Sequence, residues 1–218
     1  MRNPRLPFLF AVAAGLTAQN PTTPIIDNDQ VRVLQVTDQP HAKTQPHEHK
    51  LNRVMIYLTP GSQSITPQNG KKVELKYKAG EVKWSAAGGM HVSEVTSETP
   101  VRIVEVEVKK DGDPGKSASG PMDPLKIDPK DYKLEFENAQ VRVIRVKMAA
   151  HRKVPLHEHL LNRVVVYLTD QNGSMTADGK TDTAQHKPGE ASWGAPTKHS
   201  EENLQNTTFE AVVVEFKN

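Results

Sequence analysis

The chain contains its own sequence twice, and that repetition limits its possible folds more than any other feature. When the sequence is shifted by 110 residues, Val31–Thr59 falls on Val141–Thr169 with 16 of 29 positions identical. Further on, Lys78–Glu94 matches Lys187–Asn203 with small length changes, and Glu105 falls on Glu215. Two copies of one unit must fold alike, so each needs an architecture that roughly 90 residues can complete. A unit of that size buries only a small core, which predicts that the halves pack against each other. The repeat places one domain at residues 19–109, a linker at 110–130 and a second domain at 131–218. The linker is dense in Gly, Pro, Ser and Asp, the composition of a connection that packs little.

Within each unit the pattern is that of short strands. Val31–Val36, Val101–Val108 and Val141–Val146 nearly alternate apolar and polar residues, and Val54–Leu58 and Val164–Leu168 are β-branched and aromatic runs. Pro60-Gly61, Gln68-Asn69-Gly70 and Gln171-Asn172-Gly173 punctuate them as turns. No amphipathic helix is evident, so the expectation is an all-β pair of sandwiches or barrels. Ahead of the repeats, Met1–Arg5 carries two arginines, Leu6–Ala18 is apolar and rich in small residues, and Gln19-Asn20-Pro21 is polar. That is the layout of a secretory signal peptide, residues 1–18, and it implies a periplasmic or secreted mature chain.

Composition removes several classes of function. Lys and Arg total 28 against 26 for Asp and Glu, so there is no basic excess of the kind nucleic-acid binding needs. With no cysteine, disulfides, zinc ribbons and thiolate chemistry are excluded. No apolar run is long enough to span a bilayer.

The nine histidines carry the chemistry. His41 pairs with His151, His47 with His157, His49 with His159 and His91 with His199; only His186 has no counterpart. In a strand, residues i and i+2 share a face, so His47 and His49 aim two imidazoles at one point, as do His157 and His159. His91 and His199 would each add a third from a distant strand. Three neutral imidazoles with open positions suit Zn, Fe, Mn, Ni or Cu. A lone His-x-His pair is also common on surfaces and in cores; it is the duplicated third histidine that favours a metal.

These residues resemble the two motifs of the cupin superfamily, G-x5-H-x-H-x3,4-E-x6-G and G-x5-P-x-G-x2-H-x3-N. Gly80, Ala86, Gly88 and His91 follow the second motif, with Val95 in place of its Asn; Gly189, Pro196, His199 and Asn203 follow it with one residue deleted. His47, His49, His157 and His159 stand at the metal pair of the first. The resemblance covers nearly all of the mature chain and implies two tandem cupin β-barrels of jelly-roll type, a bicupin. The departures fall on the ligands. Arg53 and Arg163, preceded by Asn52 and Asn162, stand where the motif has its glutamate, and His41 and His151 replace its first glycine. An arginine cannot ligate a cation. Three readings stay open: a metal on three histidines alone, an oxygen supplied by Asn52 or Glu105, or a metal-free site binding an anion. The arginines either clamp an anionic ligand inside the barrels or turn outward onto Glu48 and Glu158. Trp84 and Trp193 either wall a ligand pocket or belong to the core.

Function follows these alternatives. The first reading is a metal-dependent enzyme of oxygenase, isomerase or lyase type acting on a small organic acid. The second is a binding or sensing module for a sugar or organic acid, without turnover. Both take a small molecule as partner, and the repeat leaves a homodimer open.

Overall fold

The structure is a computed structural model and describes residues 23–218, so the expected signal peptide lies outside the described residues. The first half contributes β1 (Ile26–Asp27), β2 (Val31–Asp38), β3 (His47–His49), β4 (Asn52–Tyr57), β5 (Gly61–Pro67), β6 (Val73–Tyr77), β7 (Val82–Ser85), β8 (Gly88–Val95) and β9 (Val101–Val108). After the single-turn helix α1 (Pro124–Ile127) the series repeats. It runs β10 (Tyr132–Glu137), β11 (Val141–Met148), β12 (Lys153–His159), β13 (Arg163–Tyr167), β14 (Gln171–Ala177), β15 (Lys180–His186), β16 (Ala191–Gly194), β17 (Thr197–Asn203) and β18 (Phe209–Phe216). The five-stranded sheets are ordered β1-β2-β9-β4-β7 and β10-β11-β18-β13-β16, and the four-stranded sheets β3-β8-β5-β6 and β12-β17-β14-β15. Both halves therefore have one topology, an all-antiparallel jelly-roll barrel.

The alternating valines decide which sheets meet. Val31, Val33, Val54, Val104 and Val106 of the first half form one buried cluster with Val141, Val143, Val164, Val212, Val214 and Phe216 of the second. The five-stranded sheets thus pack face to face and share a core. Each fully buried valine contributes about 1.5 kcal/mol, so this layer is a large part of what holds the halves together. A smaller core fills each barrel, built on Met55, Tyr57, Tyr77 and Ile103 in one and on Tyr132, Met148, Tyr167 and Phe209 in the other.

Polar ties cross the same interface in repeat-related pairs. Asn52 Nδ2 donates to Gln140 Oε1, and Asn162 Nδ2 donates to Gln30 Oε1, each at 2.6 Å. Asn52 and Asn162, expected beside a ligand, therefore join the two halves instead. Strand alternation is the reason: each asparagine shares a face with the interface residue Val54 or Val164, while the next residue turns into the barrel.

The connection packs more than its composition implies. Asp123 caps α1 by accepting from Leu125 N, and its two carboxylate oxygens accept from Arg142 Nη2 at 2.7 and 2.8 Å. Asp128 and Asp131 both hold Arg152. All three aspartates are buried. These acids read as loop residues in sequence because their arginine partners lie 19–24 residues further on, in the second barrel. Gly112 rests so closely on the turn at Ala139 that a Cβ there would collide with Ala139 O. Residues 113–117 are exposed.

Trypsin should accordingly nick at Lys110 or Lys116, and the two fragments should still elute as one species in gel filtration, held by the shared valine layer. Separate elution of the fragments under native conditions would contradict a common core.

Candidate metal centres

Register brings the histidines together. In the first barrel His47 on β3 pairs with His91 on β8, and in the second His157 on β12 pairs with His199 on β17. His49 and His159 follow on the same faces. Ring centroids in the first set are 4.5–5.3 Å apart, and in the second 4.4–5.4 Å. Within each set, candidate ligand atoms lie within 4.8 Å of one another.

Hydrogen bonds already fix how several of these rings face. His47 Nδ1 donates to Gln45 O and the equivalent His157 Nδ1 to Pro155 O, both at 2.9 Å. His91 Nδ1 donates to Gly89 O at 3.0 Å. A carbonyl only accepts, so the proton sits on Nδ1 and the Nε2 lone pair is free for a cation. His159 Nδ1 meets Glu215 Oε1 at 2.6 Å, a carboxylate–imidazole pair of the kind that orients metal ligands. Glu215 Oε2 in turn accepts from Arg142 Nη1 at 3.3 Å, which ties the pair to Asp123 and α1. Burial pushes the Glu215 carboxyl up to about 7, although Arg142 works against it. Burial holds His91, His157 and His159 below the ordinary imidazole value, with the Arg163 charge adding to the effect at His159.

The two centres are not copies. His157, His159 and His199 are buried, whereas His47, His49 and His91 are only partly covered. The second centre also has Tyr132 and Glu201: the Tyr132 hydroxyl donates to Glu201 Oε2 at 2.8 Å, and Glu201 Oε1 lies 3.0 Å from His199 Nε2. Burial alone would raise the Glu201 carboxyl, but the hydrogen bond and charge of His199 more than offset it and hold it well below the usual range. Sequence reasoning passed over Glu201. Its signal was its place two residues after His199, on the same strand face.

Both arginines turn inward. Arg53 is buried, with Nη1 3.6 Å from Glu105 Oε2, and its Nε and Nη1 have no hydrogen-bond partner. Arg163 is buried and donates from Nη1 to Ala195 O at 2.6 Å. Its side chain lies flat on Gly194, where a Cβ would come within 3.0 Å of the guanidinium carbon. Glu48 and Glu158 pair with Lys50 and Lys198 instead. Trp84 packs against the interface core; Trp193 stacks on Phe216 and also borders a cavity of about 270 Å³ in the second barrel. That cavity is lined by His159, Arg163, Tyr167, His186 and Glu201 among others. His186, without a counterpart in sequence, stacks on Tyr167 at 3.9 Å where Tyr77 stacks on Tyr57 in the first barrel.

Register also corrects one sequence equivalence. Arg53 pairs with Glu107 and Arg163 with Glu215, so Glu107, and not Glu105, is the counterpart of Glu215. Small deletions between the first and last strands shift the repeat offset. His49, Glu105 and Glu107 form a further cluster with ligand atoms within 4.8 Å. His41 and His151 lie outside both sets. They hold left-handed turns, φ 59° and 55°, which explains why the resembled motif has glycine there. Their rings bond Glu98 and Asn206.

No protein-family model and no curated protein sequence matches the chain. Solved structures do. AerE of Microcystis aeruginosa superposes with a TM-score of 0.64 at 14% identity over 90% of this chain and 97% of that one. The oxalate decarboxylase of Bacillus subtilis, described with Mn(II) centres, gives 0.61 at 14% over 87% and 69%. A cupin 2 conserved barrel domain protein of Leptotrichia buccalis gives 0.55 at 13% over 90% and 88%. These likenesses establish the cupin fold in a double-barrel arrangement. With it, the two histidine sets fit a divalent metal in each barrel.

His47→Ala should remove about one metal equivalent per chain and leave the His157, His159 and His199 set loaded, measured by elemental analysis of untagged protein. Loss of all metal, or of none, would contradict two separate centres. Because burial favours the neutral rings of His157 and His159, protons should displace metal from the second set only below about pH 6.5. Release by pH 7.5 in a pH titration would show that the rings are not held neutral.

Proposed function

We propose that the chain is an exported metal-dependent enzyme whose second barrel acts on a small organic carboxylate. The observation that carries this reading is the shared cavity: His159 of the histidine set, Arg163 and Glu201 all border one space of about 270 Å³. That volume suits a molecule of a few carbon atoms, below the usual range for larger ligands. Arg163 offers a planar fork that matches a carboxylate, and Gly194 leaves room for it to lie against the strand. Met148, Tyr167, Phe209 and Val213 are among the cavity's apolar lining residues. A divalent ion on the three imidazoles would supply Lewis-acid polarisation of a carbonyl or carboxylate oxygen. Glu201 borders the same space and brings a negative charge beside His199. A neighbour in fold is an oxalate decarboxylase with Mn(II) centres, which supports a small-acid substrate without fixing the reaction. Export rests on the basic, apolar and small-residue order of residues 1–18.

Calorimetry of the metal-loaded protein should show a small keto acid binding more tightly than its amide. Arg163→Lys should reduce that preference about tenfold, because a point charge loses the bidentate fork. Equal binding of acid and amide, unchanged by the substitution, would overturn the reading. Mass spectrometry of the bound acid after incubation separates an enzyme from a binding module: recovery of unaltered acid across a panel of keto and dicarboxylic acids favours the module.

A further inference from the structure

The arginine that replaces the motif glutamate appears in both barrels, but the nearby carboxylates differ: in the first, Glu105 and Glu107 lie with His49 and each faces an arginine, whereas in the second Glu201 reaches His199 without one. In the second barrel Glu201 lies two residues after His199 on β17, on the same face. Its Oε1 is 3.0 Å from His199 Nε2, and its Oε2 is held by the Tyr132 hydroxyl, which itself lies 3.4 Å from His157 Nε2. Two atoms bound side by side to one metal ion, each at about 2.1 Å, stand about 3 Å apart. The other nitrogen of His199, Nδ1, is buried without a hydrogen-bond partner among the described residues, which leaves Nε2 as the polar end of the ring toward the centre.

The first barrel has no equivalent. Glu201 pairs with Met175 across β17 and β14, and the same register position across β8 and β5 is Ser93 opposite Ile65. A serine hydroxyl at that place is shorter and neutral. Glu105 and Glu107 do approach His49, but each faces an arginine: Glu105 lies 3.6 Å from Arg53, and Glu107 accepts from Arg32 at 2.5 Å.

We propose that Glu201, clamped by Tyr132, is the fourth protein ligand of the second metal centre, an oxygen donor supplied from β17 in place of the one that Arg163 displaces from β13, and that the first centre has no such donor. This rests on the reading of the histidine sets as metal centres. It makes the sites chemically unequal: three nitrogens and an oxygen in the second suit harder ions such as Mn(II) or Fe(II), while three nitrogens in the first favour Zn or Cu.

Cobalt(II) titration tests it, because visible absorption reports the ligand set along with affinity. In a His47→Ala background, which isolates the second centre, adding Glu201→Gln keeps the shape and the Tyr132 hydrogen bond but removes the carboxylate. Cobalt affinity should fall by at least about tenfold, the scale commanded even by groups that only orient a metal ligand, and the spectrum should change. Glu201→Asp should retain most of the binding, which a purely structural role would not require. In a His157→Ala background, Ser93→Glu should strengthen binding at the first centre. Far-ultraviolet melts of the metal-free variants check that each is folded; if Glu201→Gln does not fold, the Asp and Ser93→Glu arms decide. Unchanged affinity and spectrum in Glu201→Gln, or no gain from Ser93→Glu together with full loss in Glu201→Asp, overturns the fourth ligand while leaving the histidine sets standing. A wild-type chain that takes up no cobalt overturns both.

Discussion

The layer of valines between the two five-stranded sheets governs the rest of the molecule. A unit of roughly 90 residues buries only a small core alone, and here each half extends its core onto the other. Strand alternation then leaves little freedom. With Val54 and Val164 committed to the interface, Arg53 and Arg163 must face inward. With Val104, Val106 and Val214 committed, Glu105, Glu107 and Glu215 must do the same. Both barrels therefore hold buried charge as a consequence of how the halves pack, and the ion pairs within them follow from it.

Duplication made the fold and the histidine sets legible. Two copies that differ at nearly half the positions of their most similar stretch expose what each copy retains, and the motif resemblance supplied the barrel. The same evidence misled at other residues because retention has several causes. His41 and His151 sit in left-handed turns outside both histidine sets. Asn52 and Asn162 were kept because each bonds a glutamine of the other half, a contact that exists only once the halves meet. A constant offset paired Glu105 with Glu215, whereas backbone register pairs Glu107 with it. The inward turn of the arginines could have been settled in advance by asking which residues of β4 belong to the interface.

What no repeat could reveal is what only one copy possesses. Tyr132, Glu201 and His186 are particular to the second barrel as described, and they cluster around its cavity. The connecting segment joins them to the scaffold. Asp123 caps α1 and grips Arg142, Arg142 reaches Glu215, and Glu215 holds His159. A stretch whose composition suggested a loose tether is thus linked by hydrogen bonds to a candidate ligand. The first barrel has no described counterpart to that chain; there Arg32 is half exposed and bonds Glu107 directly. Divergence has fallen on the groups around the histidines and has left the histidines themselves in place.

Charge shows what that divergence implies. Neutral imidazoles add nothing, so a divalent ion in the second barrel brings two positive charges close to Arg163. Glu201 and the ionised form of Glu215 oppose them, Arg142 and Asp123 cancel, and Asp182 and Glu202 also border the cavity. A carboxylate between metal and guanidinium would pair with both and leave neither buried charge without a partner. In the first barrel Glu105 and Glu107 already face Arg53 and Arg32, so a divalent ion there meets no surplus carboxylate and its charge is balanced by more open solvent. The two barrels thus differ in how deeply their histidines are buried and in which carboxylates stand near them. The same fold, written twice in one chain, therefore presents two different electrostatic demands to whatever enters it.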